Sequence, residues 1–471
     1  MQAKIFFGST ESTTQNVSER KSPYSGEVVS TAPICGADDA IKALKIALSA
    51  TKSAKASTLS QRCSWLLDVA QKLKEQKEEI ARTITDEVGK PIAFARVEVE
   101  RCIETVTLSA ETMRTMHGET INTDAMASGK KTLSFFRREP VGVVVAITPF
   151  NFPLNLVAHK LAPALVAGNT VVLKPTPEAP LTSYKFAKLF IESPYAVKDA
   201  LSVVYGDAEV GSALITSDIP RVISFTGSVP VGNIIAKSAG IKKVGLELGG
   251  NAATFVEKSA DLAHAAARCA LGAFVNSGQV CISLQRVYVQ SEVYDEFATL
   301  MAEETKKLKV GSPYEDDTFM GPLIDDEAAS RAMGWVESAI EEGAVALLPP
   351  HREGRMFHPC VMANVTDDMA IVCEEVFAPI VSLVKVESFD DAIPRMNNSP
   401  YGLQFSVFTN DLSVMNRAID ELNAGGIVIN DMPTLRFDIQ PYGGVKLSGV
   451  GREGPRFAIE EMTEIKSIVI C

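Results

Sequence analysis

The stretch NSGQVCISLQR, residues 276–286, turns at Gly278 and carries a single cysteine, Cys281, among polar neighbours. Most free cysteines pack as small hydrophobes. A thiol in an accessible polar loop has instead the setting in which a thiolate acts as a nucleophile. Such a nucleophile needs a base and a group to hold an oxyanion, and two other stretches offer candidates. LELGGN (246–251) sets Glu247 in an apolar strand end before two glycines. Burial there raises a carboxyl pKa and suits a general base near neutral pH; the alternative is a Glu satisfied by backbone donors. ITPFNFP (147–153) sets Asn151 between aromatics and prolines, where its amide either donates to an oxyanion or caps a turn.

Three further stretches suit a dinucleotide. FTGSVPVG (225–232) is a strand-to-helix turn with Gly227 and Gly232 around Ser228. Its N–H groups and helix dipole favour a pyrophosphate, although a tight packing turn reads equally well. VVLKPTPEAP puts Lys174 at the carboxyl edge of a strand, the side on which open α/β sheets bind ligands. A solvated lysine is the plainer alternative. EEVFAP (374–379) pairs Glu375 with Phe377, fit for a ribose and a flat ring, or for a surface acid beside a buried aromatic.

These residues need a scaffold. Residues 39–54 read as an amphipathic helix. Residues 60–88 read as another, with Leu66, Val69, Leu73, Ile80, Ile84 and Val88 near helical spacing and Gly89 and Pro91 as the stop. A third helix covers about 92–116. A strand ending at a proline follows at 132–140, and beyond it short apolar strands at 141–149, 169–175, 201–206 and 221–227 alternate with helices at 154–167, 181–192 and 231–239. A second run starts near 242–250, with helices at 261–276 and 292–308 and strands at 286–290, 380–386 and 425–430. Strand formers return at 463–470. Such alternation implies an α/β fold whose parallel sheet is covered on both faces.

A chain of 471 residues exceeds one core and predicts two or three domains. With 46% apolar and 22% charged residues, it belongs with soluble globular proteins rather than disordered ones. The net charge of -12 argues against nucleic acid or anionic membranes as partners but leaves anionic small molecules open. Eight cysteines lie scattered without a CxxC or Cys/His cluster, so no disulfide framework and no metal are expected. The amino terminus lacks a signal-peptide core, and no apolar run approaches the roughly 20 residues of a bilayer span. A cytoplasmic setting is the expectation.

Taken together, ITPFNFPLNL, AGNTVVLKP, FTGS-x3-G, LELGG, NSGQVC, EEVFAP and PYGGVKLSG-x-GREG make the chain resemble the NAD(P)-dependent aldehyde dehydrogenase superfamily from about residue 20 to the end. The resemblance implies that Cys281 attacks the aldehyde, that Asn151 and the Cys281 N–H hold the oxyanion, and that Glu247 activates water against the thioester. It assigns Lys174 to the adenosine ribose, Ser228 to the pyrophosphate and Glu375, with Phe377, to the nicotinamide ribose. Thr148, Pro149, Gly227, Leu248 and Gly249 join the same cofactor site. It implies a Rossmann-like cofactor domain (1–120 and 141–247), an α/β catalytic domain (248–450) and a small β-arm (121–140 and 451–471) that makes homodimers or homotetramers.

Cofactor choice and substrate are set by departures from the family pattern. Many NAD-selective members carry a glutamate three residues after the ribose-binding lysine; Pro177 stands there, with Glu178 one later. Dual use follows as the expectation, with NAD slightly ahead. PTLRFDIQPYGG (433–444) resembles the lactaldehyde, phosphonoacetaldehyde and non-phosphorylating glyceraldehyde-3-phosphate dehydrogenases. Arg436 there would face an anionic or hydroxylated small aldehyde, or pair with Asp438 or another acid. Val280, where phosphorylated-triose enzymes often place an Arg, weakens that last option. A CoA-acylating enzyme would lack Glu247, and a non-catalytic relative would have lost the nucleophile or the amide.

Overall fold

The strand Val143–Ile147 is buried at every position, as only a sheet covered by helices on both sides allows. The computed structural model describes residues 1–471 and sets this strand within an eight-stranded sheet. Thr170–Lys174 and then Leu201–Val203 extend it in parallel on one side, Val222–Thr226 and Lys243–Glu247 on the other. Antiparallel pieces at Ile5–Phe7, Thr10–Ser12 and Gly449–Val450 finish the edges. The chain thus winds outward from Val143–Ile147 and crosses back to Val222–Thr226. That reversal opens a crevice at the carboxyl ends of these two neighbours, where open α/β sheets take their ligands.

A second sheet runs Val345–Leu348, Cys360–Ala363, Ile380–Val386, Leu284–Gln290, Ala252–Val256, Gln404–Phe408 and Gly426–Ile429, parallel except for its first pair. Residues 248–251 lead directly from the end of Lys243–Glu247 to the start of Ala252–Val256. The carboxyl edge of the first sheet therefore faces the amino edge of the second. A separate antiparallel sheet of Glu119–Asn122, Leu133–Pro140 and Thr463–Ile470 leaves Ile121, Leu133, Ile465, Val469 and Ile470 exposed. No helix is long and apolar enough to cross a membrane.

Two sequence expectations need correction. The single helix at 60–88 is a pair, Leu59–Glu75 and Lys77–Val88, broken at Gln76 (φ -104°, ψ 16°). Leu66, Leu73, Ile80 and Ile84 enter one core across the break, so their spacing alone does not register it. The tail 451–471 does not lie wholly in the arm. The helix Pro455–Glu461 buries Ile459 in the core of the first sheet, as does Met462 just beyond it.

Candidate active site

Where the sheets face each other lies a cavity of about 520 Å³. Asn151, Glu247, Cys281, Glu375, Phe377 and Arg436 line it, with Pro149, Gly227, Ser228, Leu248 and Gly249. Lys174 and Thr148 lie outside the lining but on the same sheet edge, where the Thr148 N–H donates to the Lys174 carbonyl at 3.3 Å.

The Cys281 loop is strained before it reaches the cysteine. Asn276, Ser277 and Gly278 all have left-handed φ (53°, 56° and 72°), a conformation costly for the first two. Side-chain bonds offset that cost. The Asn276 amide donates to the Gln279 carbonyl (3.3 Å), and Ile324 N–H donates to the Gln279 side chain (2.9 Å). Gly278 is required twice over, since a Cβ there would sit 2.3 Å from the Ala378 carbonyl oxygen. The Asn151 amide donates to that same Gln279 carbonyl at 3.1 Å. One of its N–H bonds is thereby used, and the second has no partner in the protein.

Glu247 ends a buried strand, and the glycines after it let other groups come close. A Cβ on Gly250 would lie 2.1 Å from the Cys281 carbonyl oxygen, and one on Gly249 2.5 Å from the Glu375 carboxylate. The Cys281 loop and the Glu247 loop are thus in backbone contact.

Electrostatics separate the acids. Burial, then the neighbouring Glu453, pushes the Glu247 carboxyl well above its usual range, against the pull of Arg436, Lys160 and Arg452. Its Oε2 is buried without a hydrogen-bond partner. Burial would raise Glu453 too, but Lys160, His159 and Arg436 outweigh it and hold the group at about 2. Lys160 lies 3.2 Å and Arg436 3.0 Å from the Glu453 carboxylate. Burial pushes the Cys281 thiol up to about 12, opposed by a hydrogen bond with the Tyr442 hydroxyl. Burial thus opposes ionisation of both the Cys281 thiol and the Glu247 carboxyl.

Arg436 is tied into this network rather than free. It contacts Glu453, Asp438 (3.3 Å) and His159 (3.1 Å), and its guanidinium lies 3.7 Å from the centre of the Tyr442 ring. Arg101, Tyr442 and Glu453 are among the lining residues that the sequence reading did not single out. Arg101 grips Asp438 with two bonds, 2.9 and 2.7 Å. Its side chain is 27% exposed against 9% for Arg436. Tyr442 and Glu453 fall inside motifs that were recognised only as strings. Arg101 sits on the helix Ile92–Thr115 with no local signature.

The crevice has features that fit a dinucleotide. The Thr148 and Thr226 hydroxyls are buried there without partners, one just past and one at the end of the two strands flanking the chain reversal. Ser228 precedes the helix Val229–Ser238 and spends no bond on capping it. Glu375 accepts the Gly250 N–H at 2.8 Å, and burial raises its carboxyl to about 7. Phe377 has a left-handed φ of 50° and meets Phe150 edge-on at 6.0 Å.

Residues 9–468 match the model of the aldehyde dehydrogenase family. The chain is 42% identical to a 3-sulfolactaldehyde dehydrogenase of Priestia aryabhattai, over 97% of this chain and 96% of that one. It is 39% identical to a lactaldehyde dehydrogenase of Methanococcus aeolicus, over 96% and 97%. Among solved structures, it superimposes with a TM-score of 0.97 on an NADP-dependent glyceraldehyde-3-phosphate dehydrogenase from Bacillus halodurans complexed with NADP, at 34% identity, covering 100% of this chain and 99% of that one.

Proposed function

The chain belongs to the aldehyde dehydrogenase family, and we propose that it oxidises a small anionic or hydroxylated aldehyde to the carboxylic acid, with NAD or NADP as cofactor. One observation carries this reading. A single cavity holds the Cys281 thiol, the Asn151 amide with an unused N–H, and the unpartnered Oε2 of Glu247. Attack by the Cys281 sulfur on the carbonyl carbon puts negative charge on its oxygen, which the spare Asn151 N–H would hold. A nicotinamide held in the crevice would supply the hydride acceptor. Loss of hydride leaves an acyl group on Cys281 as a thioester, which splits one hard oxidation into two easier steps. Glu247, once ionised, takes a proton from water; the water oxygen bonds to the thioester carbon, and the C–S bond breaks to release the acid.

For the cofactor, Ser228 and the N–H groups opening the helix Val229–Ser238 would hold the pyrophosphate. Lys174 would bind the adenosine ribose and Glu375 the nicotinamide ribose, with Phe377 beside the ring. Thr148, Pro149, Gly227, Leu248 and Gly249 would complete the walls. Glu178 is hydrogen-bonded to Thr176 and lies near Lys174, while Pro177 presents no carboxylate to a 2′-phosphate. Both cofactors fit that arrangement.

For the substrate, Arg101 and Arg436 put two guanidinium groups on the cavity wall, a pairing suited to a carboxylate, sulfonate or phosphate. The relatives named for lactaldehyde and sulfolactaldehyde support the short 2-hydroxyaldehyde class. A phosphorylated triose is the second reading, favoured by the structural neighbour and opposed by Val280.

Cys281→Ala should abolish aldehyde oxidation while NADP binding, followed by protein fluorescence, stays within a few-fold of wild type. Full turnover by this variant would remove the proposal.

A further inference from the structure

Tyr442 belongs to none of the roles above, yet its hydroxyl lies 3.1 Å from the Cys281 sulfur. We propose that Tyr442 is a further catalytic residue, whose phenol O–H donates to the Cys281 sulfur and stabilises the thiolate that attacks the aldehyde. The inference rests on Cys281 being the nucleophile.

Three features of the fold carry it. Tyr442 is 6% exposed, and the Cys281 sulfur is the only polar group its hydroxyl meets. A buried phenol without a partner is costly, and phenylalanine would fill the same space at no such cost. The ring lies under the Arg436 guanidinium at 3.7 Å. A cation over the ring face draws electron density from the phenol and makes its O–H a stronger donor. The backbone is also fixed: Tyr442 N–H donates to the Glu453 carbonyl (3.1 Å) and Glu453 N–H to the Tyr442 carbonyl (2.6 Å).

The thiolate needs such a donor because its surroundings oppose it. Tyr442, Glu375, Arg436 and Glu247 are the titratable and charged groups that act on the sulfur. Burial and the two acids disfavour the anion; only Tyr442 and Arg436 favour it. Asn151 and Asn276 both direct an amide N–H to the Gln279 carbonyl. No proton passes through the phenol. Cys281 loses its proton to a water-borne base, the sulfur electron pair forms the C–S bond, and the Tyr442 O–H bond stays intact.

The test is the pH profile of Cys281 alkylation by iodoacetamide, without cofactor, with the label located by mass spectrometry. Tyr442→Phe should slow alkylation about 10-fold at each pH between about 7 and 10, the low end expected for loss of a hydrogen bond to an ion. Superimposable profiles for wild type and variant would overturn the proposal. Should Tyr442→Phe fail to fold, 3-fluorotyrosine at position 442 keeps the ring and strengthens the donor. Alkylation should then speed up across that range, and an unchanged rate would overturn the proposal equally. Cys281→Ala, assayed in parallel, separates the two failures. If it retains oxidation, the nucleophile is misassigned; if it is dead while the Tyr442 variants leave the profile unmoved, only Tyr442 is.

Discussion

Burial opposes ionisation of both Glu247 and Cys281, the groups proposed as base and nucleophile. For Glu247 this links directly to stability. The unfolded chain releases this proton above pH about 4.5, whereas the folded protein keeps it to higher pH. The folded state thus binds more protons, and its stability falls as pH rises above 4.5. Glutamine has no proton to lose. Differential scanning calorimetry should therefore show Glu247→Gln gaining Tm relative to wild type between pH 5 and pH 8; a constant difference would mean that Glu247 is not held neutral. Arg101 makes the second residue-scale prediction. Arg101→Gln should cut kcat/KM for carboxylated, sulfonated or phosphorylated aldehydes by about 10- to 100-fold, the usual worth of a charge-assisted bond. Propanal should be affected far less. Equal losses on charged and neutral aldehydes would return Arg101 to its pair with Asp438.

At the scale of elements, the two-glycine turn after Glu247 joins the sheets and sets how closely the Glu247 and Cys281 loops approach. Gly250→Ala places a Cβ against the Cys281 carbonyl, backbone that cannot rotate away. The nucleophile loop must shift, and displacements near 1 Å cost on the order of 10²-fold in rate. Steady-state assay and cofactor titration on one preparation should show kcat falling steeply with cofactor affinity little changed. Near-normal kcat would deny that this contact fixes the geometry. Much of this turn was legible in the sequence because backbone approach leaves a short string, LELGGN, that only glycine satisfies. The cavity position of Cys281 and Phe377 was legible for a similar reason, since residues 276–278 and Phe377 carry left-handed backbone within those short stretches. Arg101 was not, because an arginine on a regular helix carries no mark of what faces it. Nor was the bond between Tyr442 and Cys281, which joins residues 161 positions apart. The break at Gln76 was hidden because periodicity reports the buried face and not the hydrogen bonds along the helix.

For the whole molecule, the β-arm is the part whose burial is least complete. Thr463–Ile470 is an edge strand exposed at most positions, a feature that folds normally cover or charge. Contact between copies through this arm is what the family resemblance implies. Ile465→Lys with Val469→Lys should then yield a smaller particle in sedimentation velocity at equal protein concentration, with Cys281 alkylation unaffected. An unchanged sedimentation coefficient would place the contact elsewhere. The first sheet, by contrast, hides nearly all of its apolar surface, and its alternating pattern was readable from residue 141 onward for that reason. The strands Ala252–Val256 and Gln404–Phe408 of the second sheet escaped notice.

The most direct test of the division of labour between Cys281 and Glu247 is rapid mixing of Glu247→Gln with aldehyde and cofactor. The amide keeps the side chain's size but cannot take a proton from water. The account predicts a burst of reduced cofactor at 340 nm approaching one per active site, then a phase slowed by roughly 10²- to 10⁴-fold from loss of general-base help. Intact-mass measurement should find the acyl group on Cys281. Near-normal steady turnover would contradict the account, as would the absence of any burst, which would make Glu247 the group that activates the thiol instead.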